Sequence, residues 1–298
     1  MPPPQTTILI TTPAGNVGFE TLRALATRPE RASLRIVGAV RDPDKDRARL
    51  GTLTDALIPF DFAQPAGFGV ALRGVAKVLL VRPPQLADAD RYFGPFVEAM
   101  KEAGVRQVVF LSLQGVENNA MTPHHKIEKL IRAAGVPFTM LRPSFFMQNL
   151  STTHRREIAE RNEIYIPAGN GRTSLIDVVD IGEVAALALT HERHLNQAYE
   201  LTGTEALTYT EMAATLSEVL GRRITYKNPS IPAFVYRNWW VNKLPFGFVM
   251  IMVALYTVAK LGKAAGLTSV FGELTGHAPR TFRQFAEANK MAWALDGL

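Results

Sequence analysis

The sequence predicts an α/β fold: a doubly wound parallel sheet covered by helices, followed by a smaller, mostly helical C-terminal region. Short apolar, β-rich runs alternate with helical patterns through the first half of the chain. The runs are uniformly apolar rather than alternating, as in strands buried on both faces. After Asn149 the strands thin out and the loops lengthen.

Each element follows from its residues. "TILIT" (7–11) reads as the first strand and "GFETLRALATR" (18–28) as the helix after it. "LRIVGAVR" (34–41) is a second strand, "DALIPFDF" (55–62) contains a short third, and "KVLLVRPP" (77–84) is a fourth, stopped by two prolines. "RYFGPFVEAMKEAGV" (91–105) reads as a helix with Gly104 as its C-cap. "RQVVFLSL" (106–113) is a fifth strand, "HHKIEKLIRAAGV" (124–136) a helix with the same glycine ending, and "FTMLRPSFF" (138–146) a sixth strand. Farther on, "DVVDIGEVAALALT" (177–190) is a helix after an acidic cap, and "LTYTEMAATLSEVLG" (207–221) is a helix with Thr208 or Thr210 as N-cap. Residues 229–275 are apolar and aromatic, and the tail 277–294 ends in a short helix. The composition shift divides the chain into 1–150 and 151–298, with later segments free to return to the first sheet.

The bulk properties narrow the function classes. A chain of 298 residues, 47% hydrophobic and 20% charged, reads as a soluble globular protein with a sizeable core. It has no cysteine, which excludes disulfides and thiolate catalysis and allows a cytoplasmic setting. The net charge of +6 is spread along the chain, and a run such as "HRRE" (154–157) reads as a solvated face, so no nucleic-acid partner is expected. "MPPPQTTILI" lacks the pattern of a signal peptide. The longest apolar run (245–259) is shorter than the roughly 20 residues of a membrane span, so no membrane is expected either.

The chemistry begins at "TTPAGNVG". Gly15 and Gly18 lie three residues apart where a strand becomes a helix. Unpaired N–H groups at such a helix start can hold a pyrophosphate, and glycines let the backbone approach it. Thr12, Gly15, Asn16, Val17 and Gly18 are the candidate residues of this loop. Thr12 stands where a third glycine is usual, and an ordinary βα turn is the alternative. The second strand then delivers Arg41, with Lys45 four residues on. A cation here suits the 2′-phosphate of NADP, where an acid would suit the ribose of NAD. Asp42 and Asp44 pull the other way, although Asp42 also reads as turn chemistry before Pro43. NADP(H) is therefore preferred over NAD(H).

With these motifs in place the chain resembles the NmrA-like, atypical short-chain dehydrogenase/reductase family, whose members include quinone reductases and redox-sensing regulators. The resemblance rests on "ILITTPAGNVG", "GAVRDPDK", "IPFDF", "VFLSLQGVE", "HHKIEKLIRAAGVPFTMLRPSFFMQN", "IDVVDIGEVAALAL" and "YELTGTEALTYTEMA", in order along nearly the whole chain. It implies a Rossmann-type NAD(P)-binding domain over 1–150 and a substrate or lid region over 151–298. It also implies that Asp61 and Phe62 lie beside the adenine, that Arg82, Pro83 and Pro84 line the cofactor, and that Gln114 and Phe145 approach the nicotinamide. The departure is Thr12, where the family usually has glycine.

The wider superfamily uses a tyrosine and a lysine four residues apart. Their places here hold Ala120 and His124, so alcohol dehydrogenation and sugar epimerisation by that pair are rejected. His124 is the candidate catalytic residue: an imidazole could contact the nicotinamide ribose, orient substrate or supply a proton. The alternative makes His124 a helix-start residue with a capping role and Glu128 a surface partner; His125 reads as exposed. His124 and Glu128 also have metal-ligand spacing, but no third ligand is evident and no metal is expected. Ser112 lacks a base at nucleophile-elbow spacing. "DVVD" (177–180) reads as a helix cap tying the second region to the first. The aromatic, methionine-rich stretch 232–256 suits a flat apolar acceptor, or else packs as core or as a dimer face.

The expectation is an NADP(H)-binding oxidoreductase passing hydride to a quinone or another small, conjugated, apolar or aromatic acceptor. The rival is an NADP(H) sensor that binds a protein partner without turnover. A homodimer is compatible with either.

Overall fold

The computed structural model describes residues 5–294. The chain divides into two units. One contains the chain up to Pro143 together with Val178–Leu201, and the other contains Ser144–Asp177 and the chain from Thr202 on.

The first unit opens with β1 (Thr6–Thr11), α1 (Asn16–Ala26), β2 (Leu34–Val40), α2 (Pro43–Leu50) and β3 (Ala56–Pro59). It continues with α3 (Phe68–Ala71), β4 (Lys77–Leu80), α4 (Ala89–Tyr92), α5 (Gly94–Glu102), β5 (Gln107–Leu111), α6 (Pro123–Ala134) and β6 (Phe138–Pro143). The chain then enters the second unit for β7 (Phe145–Phe146), α7 (Arg155–Arg161), β8 (Glu163–Tyr165) and β9 (Arg172–Ile176). It returns for α8 (Val178–Thr190) and β10 (Gln197–Leu201). The seven strands of the first unit pair in the order β10-β6-β5-β4-β1-β2-β3, all parallel. The order reverses between β1 and β4, and such a reversal opens a crevice beyond the carboxyl ends of these strands.

Two backbone approaches set the geometry around β1. A Cβ on Gly18 would lie 2.4 Å from the Thr12 carbonyl oxygen, so only glycine lets α1 start this close to the strand. A Cβ on Gly182 would lie 2.6 Å from the carbonyl carbon of Glu20, so α8 packs backbone to backbone on α1. The threonines at the end of β1 fasten it to β4. The Thr11 hydroxyl donates to the Leu79 carbonyl and accepts from the Val81 N–H, both at 2.9 Å. The Thr12 hydroxyl donates to the Val81 carbonyl at 2.9 Å. Thr12 itself has φ 51°, the left-handed conformation that a glycine would supply there.

Below the sheet lies an aromatic core. Phe62 meets Phe60 edge-on at 4.8 Å between centroids and Phe93 at 4.9 Å, while Phe96 packs on Phe60, Phe62 and Phe68. Gly104 and Gly135 take left-handed conformations (φ 70° and 73°) after α5 and α6, as their helix-ending role requires.

Several boundaries differ from expectation. The helix at 91–105 is two pieces parted at Phe93, because Pro95 in the first turn of the second cannot donate to the preceding turn. The strand at 138–146 stops at Pro143, and Phe145–Phe146 pair with β9 in another sheet. The helix after β1 begins at Asn16 rather than Gly18. β10 was not among the expected strands: "QAYEL" lies at the sheet edge and mixes polar with apolar residues.

In the second unit β7, β9 and β11 (Ala206–Thr208) form a small sheet, and β12 (Thr225–Lys227) pairs with β8. α9 (Tyr209–Leu220) begins at Thr208, whose hydroxyl and the Glu211 carboxylate form a reciprocal cap. α10 (Ile231–Val235) runs into a π-helical turn (Tyr236–Val241), and α11 (Phe246–Lys260), α12 (Val270–Thr275) and α13 (Phe282–Ala288) follow. The expected tail helix is α13 with a 3-10 turn (Lys290–Trp293) after it. The reading of 154–157 as a solvated face is corrected: His154 and Glu157 are buried. The His154 ring meets the Tyr256 hydroxyl at 2.5 Å, and burial pulls its pKa down to about 4. Among the described residues no helix is long and apolar enough to cross a membrane.

The Thr12 geometry yields a prediction. A β-branched residue held at positive φ costs about 1–3 kcal/mol, while its hydrogen bond to Val81 contributes about 1 kcal/mol. In Thr12→Gly the relieved strain offsets the lost bond, so urea denaturation should show a change under about 1 kcal/mol. Thr12→Val keeps the strain and strands the carbonyl, so it should lose about 1–2 kcal/mol. Equal losses in the two variants would mean that the strain is not there.

Candidate functional site

The turn after β1 builds the first part of the site. Gly15 is the N-cap of α1 and brings no capping side chain, and the first turn of the helix holds no acid. The leading N–H groups of Asn16, Val17 and Gly18 therefore have no side-chain acceptor at the positive end of the helix dipole. Gly15 and Asn16 are exposed, and Val17 is buried beneath them. Uncapped N–H groups, no local carboxylate and a backbone approach that only glycine permits suit the pyrophosphate of a dinucleotide.

Arg41 leaves the end of β2 exposed and makes no ion pair among the described residues. Its acidic neighbours are otherwise engaged. Asp42 accepts from the backbone N–H groups of Asp44 and Lys45 at 3.1 and 3.2 Å, capping α2, and Asp44 pairs with Arg47 at 3.0 Å. Lys45 stands exposed in the first turn of α2. Beyond β3, Asp61 accepts from the Ala63 N–H at 2.8 Å and shapes the loop. Phe62 is only 4% exposed, its ring committed to the aromatic core, so what it could offer an adenine is backbone.

Arg82 follows β4 and holds its own loop. One guanidinium nitrogen donates to the carbonyls of Pro83, Pro84 and Leu86 at 3.0–3.1 Å. Its Nε–H donates to Nε2 of His124 at 3.4 Å. That contact fixes the state of His124, which sits in the first turn of α6 under the Thr122 cap. Burial lowers the pKa of the imidazole and the Arg82 charge lowers it further, to about 3. The ring is neutral and keeps its proton on Nδ1, so it offers an N–H donor rather than an imidazolium acid. His125, expected exposed, is half-buried, with Nδ1 2.9 Å from the Val116 carbonyl oxygen.

Glu128 is not a surface partner. It is 5% exposed and accepts from Ser112 Oγ at 2.7 Å and from Arg142 at 2.8 and 3.0 Å. Burial pushes its carboxyl up, but the hydrogen bonds from Arg142 and Ser112 outweigh it and hold the pKa below the ordinary value. Arg142 also reaches Glu117 at 3.1 Å. The cluster ties the end of β5 to α6 and β6 behind His124. Sequence reasoning missed it, although a signal was present: Arg142 is the lone charge in "FTMLRPSFF". Gln114 lies on the same edge, its N–H donating to Pro143 and its side chain to Glu200 at 3.4 Å.

The predicted residues of the first unit thus gather along the carboxyl ends of its strands. Phe145 belongs to the second unit, half-buried and lining a small cavity with Phe146, His154, Tyr209 and Tyr256. No cluster of three metal-ligating side chains exists among the described residues.

The chain is similar to known proteins along nearly its whole length. The model of the NmrA-like family matches residues 4–286. An NAD(P)H azoreductase from Xenophilus azovorans is 32% identical over 290 residues, covering 96% of this chain and 99% of that protein. The NADPH-dependent quinone oxidoreductase of Escherichia coli, solved as its NADPH complex, superposes with a TM-score of 0.83 at 26% identity, over 94% of this chain and 99% of that one. A Citrobacter triphenylmethane reductase complexed with NADP(H) gives 0.81 at 26% identity, over 96% and 99%.

The buried ion pair behind His124 makes its own prediction. Removing Arg142 leaves the buried Glu128 with only the Ser112 hydroxyl and Arg132, 3.8 Å away, so Arg142→Met should lose about 3 kcal/mol in urea denaturation, the low end for a broken buried pair. Arg142→Met/Glu128→Met should lose less than Arg142→Met alone. Because the Glu128 pKa is depressed on folding, its contribution is present above the unfolded carboxyl pKa and falls away as pH drops through the folded one. Glu128→Gln should therefore flatten the acid limb of stability against pH. An additive double variant would mean that the pair is not coupled.

Proposed function

The chain belongs to the NmrA-like family, and from that premise we propose that it is an NADP(H)-dependent oxidoreductase that reduces a quinone or a similar conjugated, apolar acceptor. The observation that carries the cofactor reading is the pairing of an uncapped glycine turn with Arg41, beside acids committed elsewhere. The acceptor class draws on the names of the relatives, which reduce quinones, azo compounds and triphenylmethane dyes.

Bound NADP(H) would supply the hydride. The turn from Thr12 to Gly18 would hold the pyrophosphate by backbone N–H groups, Arg41 and Lys45 the 2′-phosphate, and Asp61 with the Phe62 backbone the adenine edge. Arg82, Pro83 and Gln114 would bound the nicotinamide end, and Phe145, in the second unit, is a further candidate cofactor-binding residue. His124 would present Nδ1–H to a ribose hydroxyl or to the acceptor oxygen as charge develops on it. A quinone suits such a site, because its reduced anion is stable and needs a hydrogen bond more than a strong acid. A cysteine-free chain of this kind fits the cytoplasm. The second reading, a sensor without turnover, rests on Ala120 and His124 occupying the places of the superfamily's tyrosine and lysine.

Arg41→Ala should weaken NADPH binding by about 1.5–3 kcal/mol in calorimetry and leave NADH unchanged. Equal losses for both cofactors would remove Arg41 from the 2′-phosphate.

His124 gives a pH prediction. With its pKa near 3, the ring is neutral across the working range, so the rate with a good quinone should not fall as pH rises through 6.5, the ordinary histidine value. His124→Asn, which keeps an N–H donor, should retain most of the rate, and His124→Ala should lose about tenfold. A falling limb near the ordinary value that vanishes in His124→Ala would make the residue an imidazolium acid.

A further inference from the structure

The second unit carries an exposed apolar surface centred on the stretch 232–256, which the sequence alone offers as an acceptor face, as core or as a dimer face. α11 is apolar all round, without a charge from Phe246 to Ala259. One side packs into the core through Val249, Met252, Val253 and Tyr256. The other side shows Met250, Ile251, Leu255 and Val258, each 41–55% exposed. The patch continues into the π-helical turn, where Trp239 lies 5.3 Å from the Phe246 ring and 6.1 Å from the Trp240 ring. Both tryptophans are about half exposed, at 46% and 57%. Scattered exposed apolar residues are ordinary, but a continuous helix face joined to paired tryptophans is an interaction surface.

Charge says what covers it. From Lys227 to Gly272 the chain has five basic residues and no acidic one. Arg237 is held by Glu163 and lies over the Tyr165 ring. Lys243, Lys260 and Lys263 are exposed, and Lys243 sits 4.8 Å from the Trp240 ring. Lysines therefore bracket α11 at both ends, about 22 Å apart along a helix of this length. We propose that this face docks the protein onto the surface of an anionic lipid bilayer, with α11 lying in the interface, the tryptophans at headgroup depth and the lysines on the lipid phosphates. Apolar area, interfacial tryptophan and a basic rim are the elements of such binding. α11 is too short to cross a membrane, so this is attachment to a surface. A second copy of this face would bring the same basic rim and, between residues 227 and 272, no acid to meet it, whereas anionic headgroups neutralise it.

The test is flotation of the full-length protein with phosphatidylcholine vesicles, with and without phosphatidylglycerol, while tryptophan emission is followed. The protein should float with the phosphatidylglycerol vesicles and its emission should shift to the blue. High salt or removal of the anionic lipid should weaken binding by about tenfold or more. Ile251→Glu/Leu255→Glu, at two solvent-facing positions, should abolish flotation with unchanged circular dichroism and NADPH binding. Absence of flotation overturns the proposal, as does equal binding to vesicles without anionic lipid. So does a dimer in analytical ultracentrifugation that Ile251→Glu/Leu255→Glu splits, which would make the face a self-interface.

Discussion

The site depends on how closely the start of α1 approaches the end of β1. Gly18 leaves no room for a side chain against the Thr12 carbonyl, and that contact sets the helix start at the crevice. The hydroxyls of Thr11 and Thr12 then bind the turn to the end of β4. β4 in turn carries Arg82, whose guanidinium organises the following loop and touches His124. A displacement of the turn would thus propagate through one strand pair to the residue proposed to meet the acceptor.

Charges along this edge are arranged with a common sense. Asp42, Asp44, Asp61 and Glu128 each spend their carboxylates on backbone N–H groups, a hydroxyl or an arginine. Arg41 and Lys45 stand exposed, and Arg82 is close enough to keep His124 neutral. An edge of this kind favours a polyanion and disfavours a second cation. Thr12 fits the same frame: it takes the conformation of the missing glycine and uses its hydroxyl to hold β4.

Much of the fold is legible in the sequence because parallel strands buried on both faces read as plain apolar runs. Glycines after α5 and α6 mark helix ends for a reason local to their backbone. What escapes depends on distant partners. β10 is an edge strand and lacks an apolar run. Nothing local says that Glu128 turns inward, since Arg142 and Ser112 come from two other elements. Phe62 and Asp61 are neighbours in sequence, yet one faces the core and the other the loop. The protonation of His124 likewise depends on burial and on Arg82, 42 residues away. The apolar run 245–259 is visible as composition, but only the helix shows which half is exposed.

With Ala120 and His124 in the places of the superfamily's tyrosine and lysine, the proposed reaction asks only a hydrogen bond of the neutral His124 and leaves the proton to water, which suits an acceptor whose reduced form is a stable anion. Stopped-flow oxidation of NADPH deuterated at the transferring carbon, mixed with a quinone, tests hydride transfer most directly. Acceptor-dependent oxidation slowed by deuterium on one face of the nicotinamide is the expected result. Tight NADPH binding without oxidation by any quinone or dye would contradict it and leave the sensor reading in its place.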